Sequence, residues 1–167
     1  VVWAGIVPLV EKDPNDLIEI ARVTEWANLR AWIARAITER SKEHPVVFDD
    51  LLKLLGNQPE QADSLLAGIE RAVLGIKGFI KPAKWDKVSE KLRSNPNAFK
   101  LNILFGDQQA IGQMEKLVLD PDTEIKDRSE TIKILLEANS PNLKSISERL
   151  LQESEMKIWG ARGLSKF

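Results

Sequence analysis

The sequence predicts an all-α fold in which antiparallel helix pairs stack into a solenoid. Three observations predict it. Apolar residues recur at helical spacing along nearly the whole chain. The helical stretches are short, and Pro, Asn, Asp and Gly punctuate them. In the second half a unit of roughly thirty residues recurs, as in arrays of paired helices. Strand signals are nearly absent. Val46-Val47-Phe48 is the best β-like run, and the leucine series after it favours helix.

A first helix is expected over Val1 to Val10, with Trp3, Ile6, Val7 and Val10 on one face. Asp13-Pro14 opens a second, with the Asp as cap, the Pro in the first turn, and Leu17, Ile18 and Ala21 as its stripe. A third runs from about Trp26 to Ser41. Leu29, Trp32, Ile33, Ala36 and Ile37 face inward, and Arg30, Arg35, Glu39 and Arg40 occupy the other face. Pro45 starts a fourth helix holding Phe48, Leu51, Leu52 and Leu55, which stops at Gly56-Asn57. The fifth and longest spans Pro59 to about Gly78, with Leu65, Leu66, Ile69, Ala72, Val73 and Ile76 at helical spacing. Gly68 and Gly75 lie seven apart within it, near one face. Glycine inside a helix costs up to ~1 kcal/mol relative to alanine, so close packing of a neighbouring helix is the expected return.

Gly78 to Pro82 read as a connector, and Trp85, Val88 and Leu92 as the inward face of a sixth helix. Ser94-Asn95-Pro96-Asn97 is a breaker and cap. The regular repeat follows. One helix, Ala98 to Phe105, ends at Gly106-Asp107. Its partner carries Ala110, Ile111, Met114, Leu117 and Val118 and ends at Asp120-Pro121. The next pair places Ile125, Ser129, Ile132, Leu135 and Leu136 on one helix, ending at Asn139-Ser140-Pro141. Leu143, Ile146, Leu150 and Leu151 lie on the other, and a further helix begins near Met156. The two turns, Gly106-Asp107 and Asn139-Ser140, are equivalent positions roughly 32 residues apart. The expected domain is thus single, 1–167, with irregular helix pairs over 1–94 and regular repeats over 95–167. About five pairs would form a right-handed α-α superhelix of the HEAT or armadillo type.

Composition bounds the function. The chain has 167 residues, 43% hydrophobic and 29% charged, with net charge −1. No overall field draws in nucleic acid or an anionic membrane. Cysteine is absent, which excludes disulfides, thiolate metal sites, iron–sulfur clusters and covalent c-type haem attachment within these residues. The apolar stretch Val1 to Val10 is too short to cross a membrane, and it lacks the basic region of a signal peptide. Because the chain opens on Val and stops soon after a helix begins, it is expected to be a fragment of a longer protein. Apolar surface is then expected at Val1 to Val10 and Met156 to Phe167.

No residue set reads as an active site. The lone histidine, His44, has no partner ligand and is expected to face solvent. Paired carboxylates occur at Asp49-Asp50, at Asp120 with Asp122, and at Glu153 with Glu155. Glycosidase chemistry needs such a pair facing across a cleft. Here the pairs fall at helix starts or in loops, where acidic residues act as caps and dipole partners. Gly75-Ile76-Lys77-Gly78 lacks the spacing of a phosphate loop. Of five tryptophans, Trp3, Trp32 and Trp85 fall on apolar stripes. Trp26, Arg30 and Lys77 are the one aromatic–basic set that would serve a partner or single-stranded nucleic acid. No catalytic, cofactor-binding or metal-binding residue is assigned.

Five stretches occur in a telling order: Trp3-Ala4-Gly5-Ile6-Val7-Pro8-Leu9, Leu29-Arg30-Ala31-Trp32-Ile33-Ala34-Arg35, Gly68-Ile69-Glu70-Arg71-Ala72-Val73-Leu74-Gly75, Pro82-Ala83-Lys84-Trp85 and Leu104-Phe105-Gly106-Asp107. Together the series resembles the helical-repeat region of large bacterial membrane-bound-dehydrogenase-like, haem-binding proteins, typical of planctomycetes, verrucomicrobia and some bacteroidetes. The resemblance implies a periplasmic or otherwise exported protein. It would carry a sugar-dehydrogenase-like β-propeller before this region and a c-type cytochrome, with haem c, after it. The chain departs from that pattern at Arg35-Ala36 and Ile76-Lys77, where the family often has basic pairs.

The expectation is therefore a non-catalytic scaffold or protein-interaction module linking a dehydrogenase-like domain to a cytochrome domain, within a protein that as a whole would be an oxidoreductase. Its partners would be neighbouring domains of the same chain and another protein on the concave face, without nucleic acid or membrane insertion. No cofactor is expected within these residues. Two rivals remain. One is a HEAT-like base-excision enzyme, which needs a basic groove with exposed aromatics such as Trp26 or Trp85. The other is a free-standing peptide-binding adaptor.

Overall fold

A computed structural model of the chain describes residues 2–76 and 79–167, with side chains from Gly5 onward. Trp3, Lys77 and Gly78 therefore lie outside the described side chains. The described residues are all-helical, with eleven α-helices, one 3-10 turn and no strand. No helix among them is long and apolar enough to cross a membrane.

The chain gathers into two compact units, Val1–Leu101 and Asn102–Phe167. The first holds α1 (Val2–Lys12), α2 (Pro14–Val23), α3 (Ala27–Glu39), α4 (Pro45–Asn57), the 3-10 turn Pro59–Gln61, α5 (Ala62–Gly75) and α6 (Trp85–Lys91). The division falls within α7 (Pro96–Leu104). The second unit holds α8 (Gln108–Leu119), α9 (Ile125–Ala138), α10 (Leu143–Leu150) and α11 (Lys157–Leu164).

In the first unit the most extensive packing joins α3 to α5. Ile33 and Ile37 on α3, Leu51, Leu52 and Leu55 on α4, and Leu65, Leu66 and Ile69 on α5 are fully buried. Burial of side chains this size contributes about 1.5–3 kcal/mol each. Gly68 sets how closely α3 and α5 approach. A Cβ there would overlap the carbonyl oxygen of Ala31 and stand 2.8 Å from the Ala34 Cβ. Gly75, expected to share this role, meets nothing within 4 Å. It is the last residue of α5, and Ile76 after it is extended rather than helical. The fifth helix is thus shorter than its apolar periodicity suggested. It begins after a separate 3-10 turn and ends before Ile76.

Asp13 precedes α2 as expected, but its side chain makes no cap bond, and Pro14 alone starts the helix. Asn95 does cap α7. Its Oδ1 accepts from the backbone N–H groups of Asn97 (2.9 Å) and Ala98 (3.3 Å). Its amide donates to Asp63 at the start of α5 (2.8 Å).

The second unit repeats one turn twice. The N–H of Asp107 donates to the Asn102 carbonyl and that of Gly106 to Ile103. The N–H of Ser140 donates to Leu135 and that of Asn139 to Leu136. This is the paired 6→1 and 5→2 arrangement of a Schellman cap, and it needs a left-handed residue at its centre. Gly106 (φ 79°) and Asn139 (φ 50°) supply it, about 33 residues apart. The next side chain then caps the following segment. Asp107 accepts from Gln109 and Ala110, and Ser140 from Asn142. The equivalence read from sequence holds at the level of individual bonds.

A second close approach builds α10 against α11. A Cβ at Gly160 would stand 2.6 Å from the Ser147 carbonyl oxygen, and one at Gly163 would overlap the Ser147 hydroxyl. At this end Ile158 and Phe167 are exposed but Met156 is buried, and at the other end Leu9 is exposed while Ile6 and Val10 are buried, so each stretch shows the expected apolar surface only in part.

Gly68→Ala should destabilise the protein by about 1–3 kcal/mol through overpacking. Gly112→Ala, inside α8 with nothing within 4 Å, should stabilise it by about 0.5–1 kcal/mol. Urea unfolding of both variants checks the contrast, and a neutral Gly68→Ala would contradict the packing described.

Candidate functional site

Each group nominated by the sequence has a place. Asp49 accepts from Lys84 Nζ at 2.5 Å and Asp50 from Lys53 Nζ at 2.6 Å, so the pair is divided between two lysines. Asp120 accepts from the Asp122 N–H and the Thr123 hydroxyl, both at 3.0 Å, and organises the turn before α9. Glu153 pairs with Arg128 at 2.6 Å, while Glu155 is exposed. None of these pairs faces its own partner across a cleft. His44 stands before Pro45 at the start of α4, half-buried rather than fully exposed, with no side-chain cap bond.

Two surface cations titrate above their ordinary range. Arg40 is raised by its hydrogen bond to Glu11, and Lys53 by its hydrogen bond to Asp50. Both are exposed ion pairs of the kind that contribute little to stability.

Arg30 corrects the sequence reading. Placed on the polar face of its helix, it is in fact 7% exposed. Its Nε donates to the Ala21 carbonyl (3.1 Å), one Nη to the Ser64 hydroxyl (3.1 Å) and the other to the Thr24 carbonyl. A guanidinium can be buried when its donors meet acceptors in a fixed fork. Arg128 makes the same joint in the second unit. It is 2% exposed, its Nε donates to the Val118 carbonyl (2.7 Å) and an Nη to Glu153. Both arginines are the fourth residue of their helix, and both reach back to the last turns of the helix before. Sequence reading missed this because a single arginine on a helix looks solvated. The signal was its shared position after a short interhelical turn.

The aromatic–basic set of Trp26, Arg30 and Lys77 does not assemble on the described surface. Arg30 is consumed in its clasp, and Lys77 lies outside the described residues. Trp26 is 48% exposed and packs edge-on against Trp32 (5.3 Å, 72°). Trp85, the other aromatic a base-excision groove would use, is fully buried. Trp159 carries Lys133 (5.2 Å) and Arg162 (4.7 Å) over its ring.

Two concavities mark the first unit. A cleft of about 330 Å3 lies between α2 and α4, lined by Ile18, Arg22, Asp50, Leu54, Asn57 and Gln58. It is largely polar, and the Gln58 Oε1 is buried without a protein hydrogen bond. A groove of about 240 Å3 lies between the start of α4 and the connector 79–83. Phe48 and Phe79 meet edge to face across it (6.2 Å, 82°), with Pro45, Ile80, Pro82 and Ala83 in its walls. Ile80 is 77% exposed. Ser41, Lys42, Lys81 and Asp49 complete the lining. The sequence offered a signal for this groove: adjacent Phe79 and Ile80 in a stretch without helical periodicity.

Among the described residues no group of three or more His, Cys, Asp or Glu could hold a metal. No family model, curated protein or solved structure matches the chain.

Arg128→Met should destabilise the protein by about 2–4 kcal/mol, because it leaves Val118 and Glu153 without their donor. Arg128→Lys should recover less than half of that, since one ammonium replaces a two-armed fork. Thermal and urea unfolding read both, and full recovery by lysine would show that only the charge matters.

Proposed function

We propose that this chain is a non-catalytic helical-repeat module that binds protein. The observation that carries this reading is the open groove of Phe48, Phe79 and Ile80. It is an apolar concavity, whereas Arg30 and the carboxylates Asp49, Asp50, Asp120 and Glu153 are tied into a helix joint, a turn and ion pairs. Exposed apolar residues beside a concavity are the usual mark of an interaction surface.

Recurrence supports the finer reading as a solenoid of the HEAT or armadillo type. Within the second unit one Schellman turn recurs, and each unit contains the same arginine clasp. Helix-pair arrays of this kind serve as surfaces and spacers. The five-part sequence resemblance supports a setting within an exported redox protein, between a sugar-dehydrogenase-like domain and a c-type cytochrome. Its partners would be those domains and a protein docked in the groove.

The test is site-directed photocrosslinking in the native host, with a photoreactive residue at position 80 or, as control, at exposed position 60. Position 80 should yield one adduct, repeatedly identified by mass spectrometry as the same protein or an adjoining domain, and position 60 should not. Absence of any adduct from position 80 would contradict the reading. Cys-x-x-Cys-His and propeller motifs in the flanking gene sequence are expected for the redox placement, and their absence would overturn that placement alone.

A further inference from the structure

The groove between α4 and the connector has a size and a charge pattern that narrow its ligand. Its volume, about 240 Å3, falls below the roughly 300–1,000 Å3 typical of small-molecule pockets. It suits one large side chain presented by a protein better than a free metabolite. Its floor and walls are apolar, from Phe48, Phe79, Ile80, Pro45, Pro82 and Ala83.

The rim is cationic. Lys42 and Lys81 line the groove, and Lys84 stands beside it, bound to Asp49. The aspartates nearby are already engaged, while Glu43, next to Lys42 in the chain, is exposed with no ion pair among the described residues. Asp49 accepts from Lys84, and Asp86 from Lys81 at 2.7 Å. Lys42 is exposed and has no ion pair among the described residues. An incoming carboxylate therefore meets one unengaged ammonium and two held in exposed pairs. Such pairs contribute about 0–1 kcal/mol, so they exchange readily for a new partner. An incoming cation meets the same three ammonium groups, two neutralised aspartates and a single exposed carboxylate, Glu43.

From this complementarity we infer that the groove receives a protein segment carrying one bulky apolar side chain flanked by carboxylates. The apolar anchor packs into the groove against the Phe48–Phe79 pair and Ile80, and the flanking acids reach Lys42, Lys81 and Lys84. This rests on the reading of the chain as an interaction module and adds the chemistry of the partner. A concave slot of this size takes a protruding side chain, which a flat bilayer surface does not offer.

The experiment is selection of a random twelve-residue peptide library, displayed on phage, against the whole 167-residue chain. Enriched peptides are then synthesised and measured by fluorescence anisotropy at two salt concentrations. Leu, Ile, Phe or Trp with neighbouring Asp or Glu should be enriched. Binding should weaken with salt and fall about tenfold in the Lys42→Glu, Lys81→Glu double variant. Ile80→Ser should also weaken it. Lys42 and Ile80 are exposed and Lys81 is half-buried, and circular dichroism verifies that both variants fold.

Enrichment of basic peptides, no enrichment at all, or binding indifferent to these variants would overturn the inference. So would tight binding of the chain to phosphatidylserine vesicles through the same lysines, or self-association that Ile80→Ser abolishes, since either would name a different occupant. Photocrosslinking from position 80 in the host remains a separate readout. It would still succeed if a protein docks there with other chemistry.

Discussion

Gly68 lets two helix backbones come nearly into contact, and the first unit is arranged around that contact. Helices that meet through ordinary side chains lie about 8–10 Å apart. At Gly68 the facing residues are Ala31 and Ala34, so small groups meet on both sides and the α5 backbone rests against a carbonyl of α3. Such proximity favours weak Cα–H···O contacts and dense dispersion. It also gives α3 and α5 the most extensive helix–helix packing of the unit. The second unit solves the same problem between α10 and α11. Gly160 and Gly163 sit against Ser147, whose hydroxyl is satisfied within its own helix by the Leu143 carbonyl at 2.6 Å.

Close helices leave little room for polar groups, and the chain places them where they lock joints. A buried cation is costly unless hydrogen bonds replace its lost hydration. Arg30 meets that condition with two carbonyls and a hydroxyl, and Arg128 with a carbonyl and a carboxylate. Each ties the early turns of one helix to the final turns of the one before, and so fixes the angle of a helix pair. Residues that look like chemistry in the sequence thereby become architecture. The open apolar groove by α4 is a different kind of feature, because its exposed Ile80 adds little to the core that the glycine contacts hold together.

Much of this was legible in the sequence because helix punctuation is local. Pro45 and Gly56-Asn57 bounded α4 to the residue, and the turns at Gly106 and Asn139 announced their equivalence through residue type and spacing. The failures have a common cause. Gly68 and Gly75 look alike along one helix, yet only Gly68 has a neighbour, and no local pattern reveals which helix will lie across it. Gly160 and Gly163 escaped notice for the same reason. Arg30 was read as solvated because its three acceptors come from other segments. Ile76 fits the helical periodicity of α5 but lies beyond its end. Phe79 and Ile80 were passed over as connector because a groove is a tertiary feature.

Native-state hydrogen exchange tests the central claim most directly, namely that the α3–α5 contact holds the first unit together. Backbone amides of α3 and α5 near Ala31, Ala34 and Gly68 should be the slowest in that unit and should exchange only when it opens as a whole. Amides of α1 and α6 should open earlier. If α3 and α5 exchanged as fast as α1, with protection centred elsewhere, the glycine contact would be incidental and this account of the fold would be wrong.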